Sequence, residues 1–240
     1  MKILNLLRVV VVFLIVACNA TNLGVDNFED IKEVEQTFSV EEPLARQTQK
    51  EIAILNALEK ESLIEPTIEK LSINDRNNVL CLALNMYHEA RGSTVEDQIT
   101  TTYVVFNRYY SSSYPLHNRN KSKTLCDIVF DKYQFCWTNE DVIKTPKEKV
   151  VWKDIQNLAL KLYTNPEHRR LAKLFELKHY VVSSMLNDPK KPKWINKRKL
   201  TVKIGAHSYM AIEEQIDDNI DNQSYTIDII KKGLSLTIQK

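Results

Sequence analysis

No stretch of this chain stays apolar over the length a bilayer requires. The N-terminal run at residues 9–17 (VVVVFLIVA) has nine residues, whereas a spanning helix needs about 20. Histidine is scarce, with five residues scattered along 240, and no HExxH spacing exists. His88-Glu89 does not replace it, because adjacent helical side chains point about 100° apart. Neither a metal centre nor a cofactor is therefore expected. Cysteine is limited to four residues. Nothing marks Cys81 or Cys136 as a thiolate nucleophile that would pair with His179, which speaks against a Cys–His amidase. The basic residues form no stripe interleaved with aromatics, so no nucleic-acid partner is expected. Internal repeats and low-complexity segments are also missing.

What is present is the composition of a globular protein, 43% apolar and 27% charged, with length for one ordinary domain plus extensions. The net charge of +2 hides an asymmetry. Residues 26–72 hold twelve acidic and five basic side chains, a balance of −7. Residues 1–25 carry +2, which leaves +7 for residues 73–240. A basic domain behind an acidic arm suits a polyanionic partner, whether nucleic acid, an acidic wall polymer or an anionic membrane, although charge alone favours a plain solvated basic surface.

The run at 9–17 behind Lys2 and Arg8 has the length of a signal-peptide core, about 7–15 residues. Cleavage after Ala20 fits Cys18-Asn19-Ala20. Ile15-Val16-Ala17-Cys18 fits equally well a bacterial lipoprotein processing box, in which Cys18 would be lipidated and attach the protein to a membrane. Either way the chain is expected to be exported, to the cell envelope, periplasm or exterior, where disulfides are permitted. Cys126 and Cys136, ten residues apart around VFDKYQF, are the expected pair. Cys81 reads as a small core residue.

Four segments follow. Residues 1–20 are the signal and 21–72 an acidic, partly helical arm. Within the arm, residues 49–60 place Ile52, Leu55 and Leu58 on one stripe, suited to docking. Residues 73–212 form the domain and 213–240 an extension. Within the domain, Asn74 or Asp75 is expected to cap a helix ending near Ala90 with Gly92 as its stop. Ser93-Thr94-Val95-Glu96 has capping-box spacing and opens a second helix to about Tyr110. Residues 125–129 suggest a short helix. Thr145-Pro146-Lys147-Glu148 suggests a helix start, with Pro146 in the first turn, running to Asn165-Pro166. Residues 178–182, 201–204 and 208–212 read as strands around Pro189, Pro192 and Gly205. The tail at 225–239 alternates and suggests a hairpin turning at Lys232-Gly233. The fold class is thus α+β, mainly helical, with a small extended part.

Residues 81–92 (CLALNMYHEARG) carry the chemistry. Val79, Leu80, Leu82, Ala83, Leu84, Met86 and Tyr87 make a helix apolar on most sides, and hence buried. Glu89 sits in its last turn, where the helix dipole and apolar neighbours disfavour a charged carboxylate. A protonated carboxyl held rigidly at a cleft is what a glycosidase needs as general acid. Gln134, Phe135 and Trp137 form a polar and aromatic patch suited to holding a sugar ring, and Tyr180 suits the cleft wall or an acetamido group. Asn107 and Arg108 suit a buttress, while Trp194 and His207 suit holding the extended part together.

In order along the chain stand YHEARG, Asn107-Arg108, Tyr114-Pro115, CDIV at 126–129, QF-W at 134–137, His179-Tyr180, P-W at 192–194 and IG-H-Y at 204–209. This series resembles the spore-cortex-lytic cell wall hydrolase family (SleB-like) over roughly residues 75–212. The resemblance implies a lysozyme-like fold related to lytic transglycosylases. It implies peptidoglycan glycan strands as substrate, cut between N-acetylmuramic acid and N-acetylglucosamine, with Glu89 as catalytic acid. The family usually carries a second Glu where this chain has Ser93, and Tyr209-Met210 stands where an aromatic pair is usual. With one well-placed carboxylate, an anhydro-forming route is expected, since it needs no activated water. The competing reading is a wall-binding envelope lipoprotein with little activity.

Overall fold

The computed structural model describes residues 41–111, 124–131, 134–174, 179–191, 193, 195, 198–212 and 222–238. The signal region with Cys18, Tyr114-Pro115, Pro192 and Trp194 lie outside them. Among the described residues no helix is long and apolar enough to cross a membrane.

Eight α-helices and one small sheet make up the described chain. They are α1 (Glu41–Lys60), α2 (Pro66–Glu69), α3 (Ile73–Ala90), α4 (Val95–Tyr110), α5 (Leu125–Val129), α6 (Lys149–Thr164), α7 (Pro166–Leu174) and α8 (Asn222–Ile238). Strands β1 (His179–Val182), β2 (Arg198–Ile204) and β3 (His207–Ile212) form an antiparallel sheet in the order β1-β3-β2. The expected mainly helical α+β class is what the chain adopts.

Helix α3 is the axis. Every residue from 79 to 87 is buried, as its apolar density demands, and α4, α5 and α6 pack around it. Its cap is Ser72, whose hydroxyl accepts from the Asp75 N–H at 3.2 Å, so the helix starts earlier than Asn74 or Asp75 would allow. Gly92 does not take a left-handed conformation as its stop. On α4 the cap is Thr94, accepting from the Asp97 N–H at 3.3 Å, rather than Ser93 with Glu96. That shift of one register frees the Ser93 side chain. Helix α6 starts at Lys149, after Pro146 rather than around it. The Tyr87 hydroxyl accepts from the Lys147 and Glu148 N–H groups at 3.0 and 3.3 Å, which satisfies donors at that helix entry.

Part of the acidic arm belongs to the folded body. Ile54, Leu58, Ile64 and Ile68 lie in the main core cluster. Ile52 is 52% exposed, so the docked face follows Ile54 and Leu58 one turn apart rather than the stripe through Ile52. Trp152 Nε1 and Gln156 Nε2 both donate to the Leu63 carbonyl, at 2.7 and 3.1 Å, and clamp the turn after α1 onto α6.

Two expectations are overturned. The disulfide joins Cys81 to Cys126, with Cα atoms 5.3 Å apart, while Cys136 is exposed and takes no part. Nearness in sequence favoured the Cys126 and Cys136 pair, but packing α5 against α3 brings the two buried sulfurs together. The tail is a helix, not a hairpin. Ile229, Ile230, Gly233 and Thr237 turn inward at helical spacing. Gly233 is therefore no turn residue; a Cβ there would collide with the Tyr103 hydroxyl.

Closing a loop of 45 residues restricts the unfolded chain by about 4 kcal/mol on the loop-entropy relation. Replacing Cys81 and Cys126 together by alanine should lower the unfolding free energy in urea by an amount of that order. Cys136→Ala should change it by less than about 0.5 kcal/mol, as an exposed substitution does.

Candidate active site

Glu89 is the penultimate residue of α3. The motif around it divides its labour. Tyr87 faces α6, and Arg91 lies 4.8 Å over its ring while donating to the Tyr87 carbonyl at 3.2 Å. His88 stacks on Trp137 at 4.5 Å. Burial and the nearby Arg91 charge push the His88 pKa down to about 4, so it is neutral at physiological pH. Glu89 is left as the acidic group on the face towards the sheet.

The sheet is held over Glu89 by a buried carboxylate on α4. Asp97 is fully buried. It accepts from His207 Nδ1 at 2.9 Å, from the Tyr209 hydroxyl at 2.6 Å and from the Ala206 N–H at 3.1 Å. The Ser93 hydroxyl also donates to it and accepts from the Ala206 N–H at 3.1 Å. These contacts tie the β2–β3 turn to the start of α4. Gly205 makes the approach feasible. It has φ +54°, and a Cβ there would press on Ser93 Oγ and lie 2.7 Å from Asp97 Oδ2.

With the turn fixed, β3 fixes β1. Tyr180 pairs in register with Tyr209, and its ring lies 5.4 Å from Tyr209 and 5.0 Å from His207. Its hydroxyl donates to Glu89 Oε2 at 3.4 Å. Phe135 lies 6.2 Å from Tyr180, with the Arg108 guanidinium 5.2 Å over its ring. Trp137 Nε1 donates to Asn85 Oδ1 at 3.3 Å, one turn before Glu89 on the same helix.

The electrostatics of the two carboxylates diverge. Glu89 keeps some exposure, yet desolvation dominates and raises its pKa above 4.5, against the opposing pulls of His207, the Tyr180 hydrogen bond and Arg108. Among the described residues Glu89 enters no ion pair. For Asp97, burial pushes upward. The hydrogen bonds from His207, Ser93 and Tyr209 together outweigh it, and its pKa falls below 3.8. The Tyr180 phenol is pushed well above its usual range by burial and by the Glu89 charge, so it remains a donor.

Of the expected site residues, Glu89, Phe135, Trp137 and Tyr180 come together. Phe135 and Trp137 do so as nearly buried rings, 3% and 7% exposed, packed against Arg108 and His88, which makes them wall rather than open platform. Gln134 lies beside them, partly exposed. Arg108 reaches Glu89 through its field. Asn107 instead turns to α7, donating to the Ala172 carbonyl at 3.4 Å. His207 holds the turn, as expected of it. Sequence reasoning missed Asp97 and Asn85. A polar residue inside the apolar run VLCLAL-N-MY was a signal for Asn85; the Thr94-x-x-Asp97 spacing marks only a helix start. A cavity of about 270 Å³ lined by Leu63, Glu65, Trp152, Lys153 and Gln156 shares no residue with this neighbourhood. Comparison with family models, with curated proteins and with solved structures finds no match.

A depressed pKa means that Asp97 stabilises the fold above its ordinary value of 3.8, and that this contribution is lost as pH falls through the lower folded-state value. Asp97→Asn should cost roughly 2–4 kcal/mol at neutral pH, as broken buried polar partners do. The variant should also lack the acid-side loss attributable to this group; urea unfolding from pH 2 to 7 measures both. Gly205→Ala should cost about 1–3 kcal/mol through a strained left-handed backbone alone, read by the same unfolding at neutral pH.

Proposed function

We propose that this protein is an exported glycosidase that cleaves peptidoglycan at the bond between N-acetylmuramic acid and N-acetylglucosamine, by lytic transglycosylase chemistry on a lysozyme-like fold. The observation that carries the reading is the state of Glu89. It is one carboxyl whose desolvation outweighs the nearby cations, with a phenol donor on it and no ion pair among the described residues. The ordered series of short motifs adds the substrate class.

In this reading the neutral Glu89 carboxyl gives its proton to the glycosidic oxygen as the bond to the muramoyl anomeric carbon breaks. The glucosamine leaves as the alcohol. The muramoyl 6-hydroxyl then adds to the anomeric carbon, and its proton returns to Glu89. A 1,6-anhydro end forms and no water is consumed. Asp97, the neighbouring carboxylate whose charge Glu89 feels, is unsuited to the role of nucleophile or base. It is buried, and both oxygens accept hydrogen bonds. One acid acting twice therefore accounts for the carboxylates present. A lipid on Cys18 would place the enzyme at the membrane face of the wall.

Purified protein should clear a peptidoglycan zymogram, and mass analysis of the fragments should find anhydromuramoyl ends. Glu89→Gln should reduce lysis by about 10²-fold or more, the range for loss of a general acid, with wall binding retained. Activity should decline as pH rises through the raised Glu89 pKa, because the proton donor is lost. The folded state also prefers protonated Glu89, so parent stability should fall as pH climbs from 4.5 through that value, while the Gln variant should not show this fall. Reducing ends without anhydro sugar would exclude the transglycosylase route. A parent protein that binds wall but never lyses it would leave a wall-binding lipoprotein.

A further inference from the structure

Asn85 lies four residues before Glu89, on the same face of α3, and is 1% exposed. Its carbonyl oxygen accepts the Trp137 indole N–H at 3.3 Å. Accepting that bond decides which way the amide points. The other end, Nδ2, is buried and has no partner at full hydrogen-bond distance. It still lies near enough to the Tyr180 hydroxyl to oppose the rise of that phenol's pKa. The Tyr180 hydroxyl in turn donates to Glu89 Oε2.

We propose that Asn85 is a positioning residue for Glu89: fixed by Trp137, its amide N–H faces the Tyr180 oxygen and leaves the phenol proton to point at the carboxyl. The inference rests on the reading of Glu89 as the acid. The chain runs from the Trp137 N–H to the Asn85 carbonyl, from the Asn85 N–H to the Tyr180 oxygen, and from the Tyr180 O–H to Glu89. Each group along it has one donor aimed onward. An amide flipped by 180° would set an N–H against the indole N–H and a carbonyl against the phenol. The phenol would then donate to Asn85 and abandon Glu89. Trp137 excludes that flip, and this gives a buried aromatic ring a chemical task besides packing. The unfilled bonding capacity of Nδ2 fits a network that tightens when a sugar oxygen enters between Tyr180 and Glu89.

The experiment titrates the Glu89 carboxyl itself, by carbon NMR on protein labelled at glutamate, with no substrate present. Asp97 and Arg108 from α4, Tyr180 from β1 and His207 from β3 also face this carboxyl, and all remain in the test except where Tyr180 is changed. The Tyr180 hydrogen bond favours the ionised form. Asn85→Ala should therefore move the Glu89 midpoint upward, and Tyr180→Phe should do the same. Asn85→Ala added to Tyr180→Phe should move it no further. Trp137→Phe, which keeps an aromatic ring and removes the indole N–H, should shift it in the same direction by less, and serves in the same cycle if Asn85→Ala does not fold. On peptidoglycan, Asn85→Ala should lower the turnover rate on the order of tenfold, the worth of one hydrogen bond at the acid, and displace the alkaline limb of the pH profile by the same amount as the midpoint. An unchanged midpoint in Asn85→Ala, or equal shifts with and without the Tyr180 hydroxyl, overturns the relay. Because the titration needs no turnover, an inactive parent protein would sink the enzymatic reading and leave the relay to be judged by the cycle.

Discussion

A buried carboxylate with four donors on it, Asp97, decides where the sheet sits. The sheet has three short strands, and a lone sheet of that size has little independent stability. It needs an attachment. Asp97 supplies one at the first turn of α4, where the positive end of the helix dipole already favours an anion. The same contacts set the register of everything beyond them. His207 and Tyr209 alternate along β3 with both side chains held by Asp97 or its backbone, and β1 then has one way to pair. Tyr180 reaches Glu89 because Asp97, on a different helix, positions the strand next to it.

The two helices α3 and α4 thus carry two carboxylates in opposite conditions. Asp97 has lost its water but gained hydrogen bonds that replace it, so ionisation is favoured. Glu89 has lost much of its water and gained a single long hydrogen bond, so ionisation is disfavoured. Neighbouring acids driven apart in this way separate a permanently charged group from one that can exchange a proton. Only the second can take part in acid–base work. The first is structural, and its value to the site is that it does not titrate in the working range.

How much of this was legible in the sequence depends on the range of the interaction. The burial of α3 is written in residues 79–87, since an apolar residue at nearly every position leaves no solvent face. The strands around Gly205 were equally local, as Thr201, Val202 and Ile204 lead into a glycine that turns. The stripe through Ile52, Leu55 and Leu58 showed a docking face but not its angle, since Ile54 rather than Ile52 is the residue buried with Leu58. What failed was nonlocal or ambiguous in period. The partner of Cys126 lies 45 residues away, and nothing in the spacing of the cysteines ranks a distant sulfur above a near one. The tail TIDIIKKGLSL satisfies an alternating and a helical pattern together, and its glycine reads as a turn until Tyr103 is seen to occupy the space of a Cβ. Asp97 looked like an ordinary first-turn acid because its partners, at 206, 207 and 209, lie some 110 residues further along the chain.

The pairing of Asp97 with His207 also bears on the acid itself. A cation beside Glu89 would draw out its proton, and both His207 and Arg108 pull in that direction. The charge of Asp97 pushes the other way, and it sits directly against His207. Whatever positive charge the imidazole carries is therefore met by a fixed negative one at hydrogen-bond distance, and Glu89 feels the difference of two opposed fields. The His207 pull is the larger of the two, so the pair offsets only in part, whereas the loss of hydration is local to Glu89 and exceeds each of the opposing pulls. Burial is the deciding influence, and the Glu89 pKa is raised beside a histidine and an arginine that pull it down. The contact that anchors the sheet for this reason also tempers, without abolishing, the pull of His207 on Glu89.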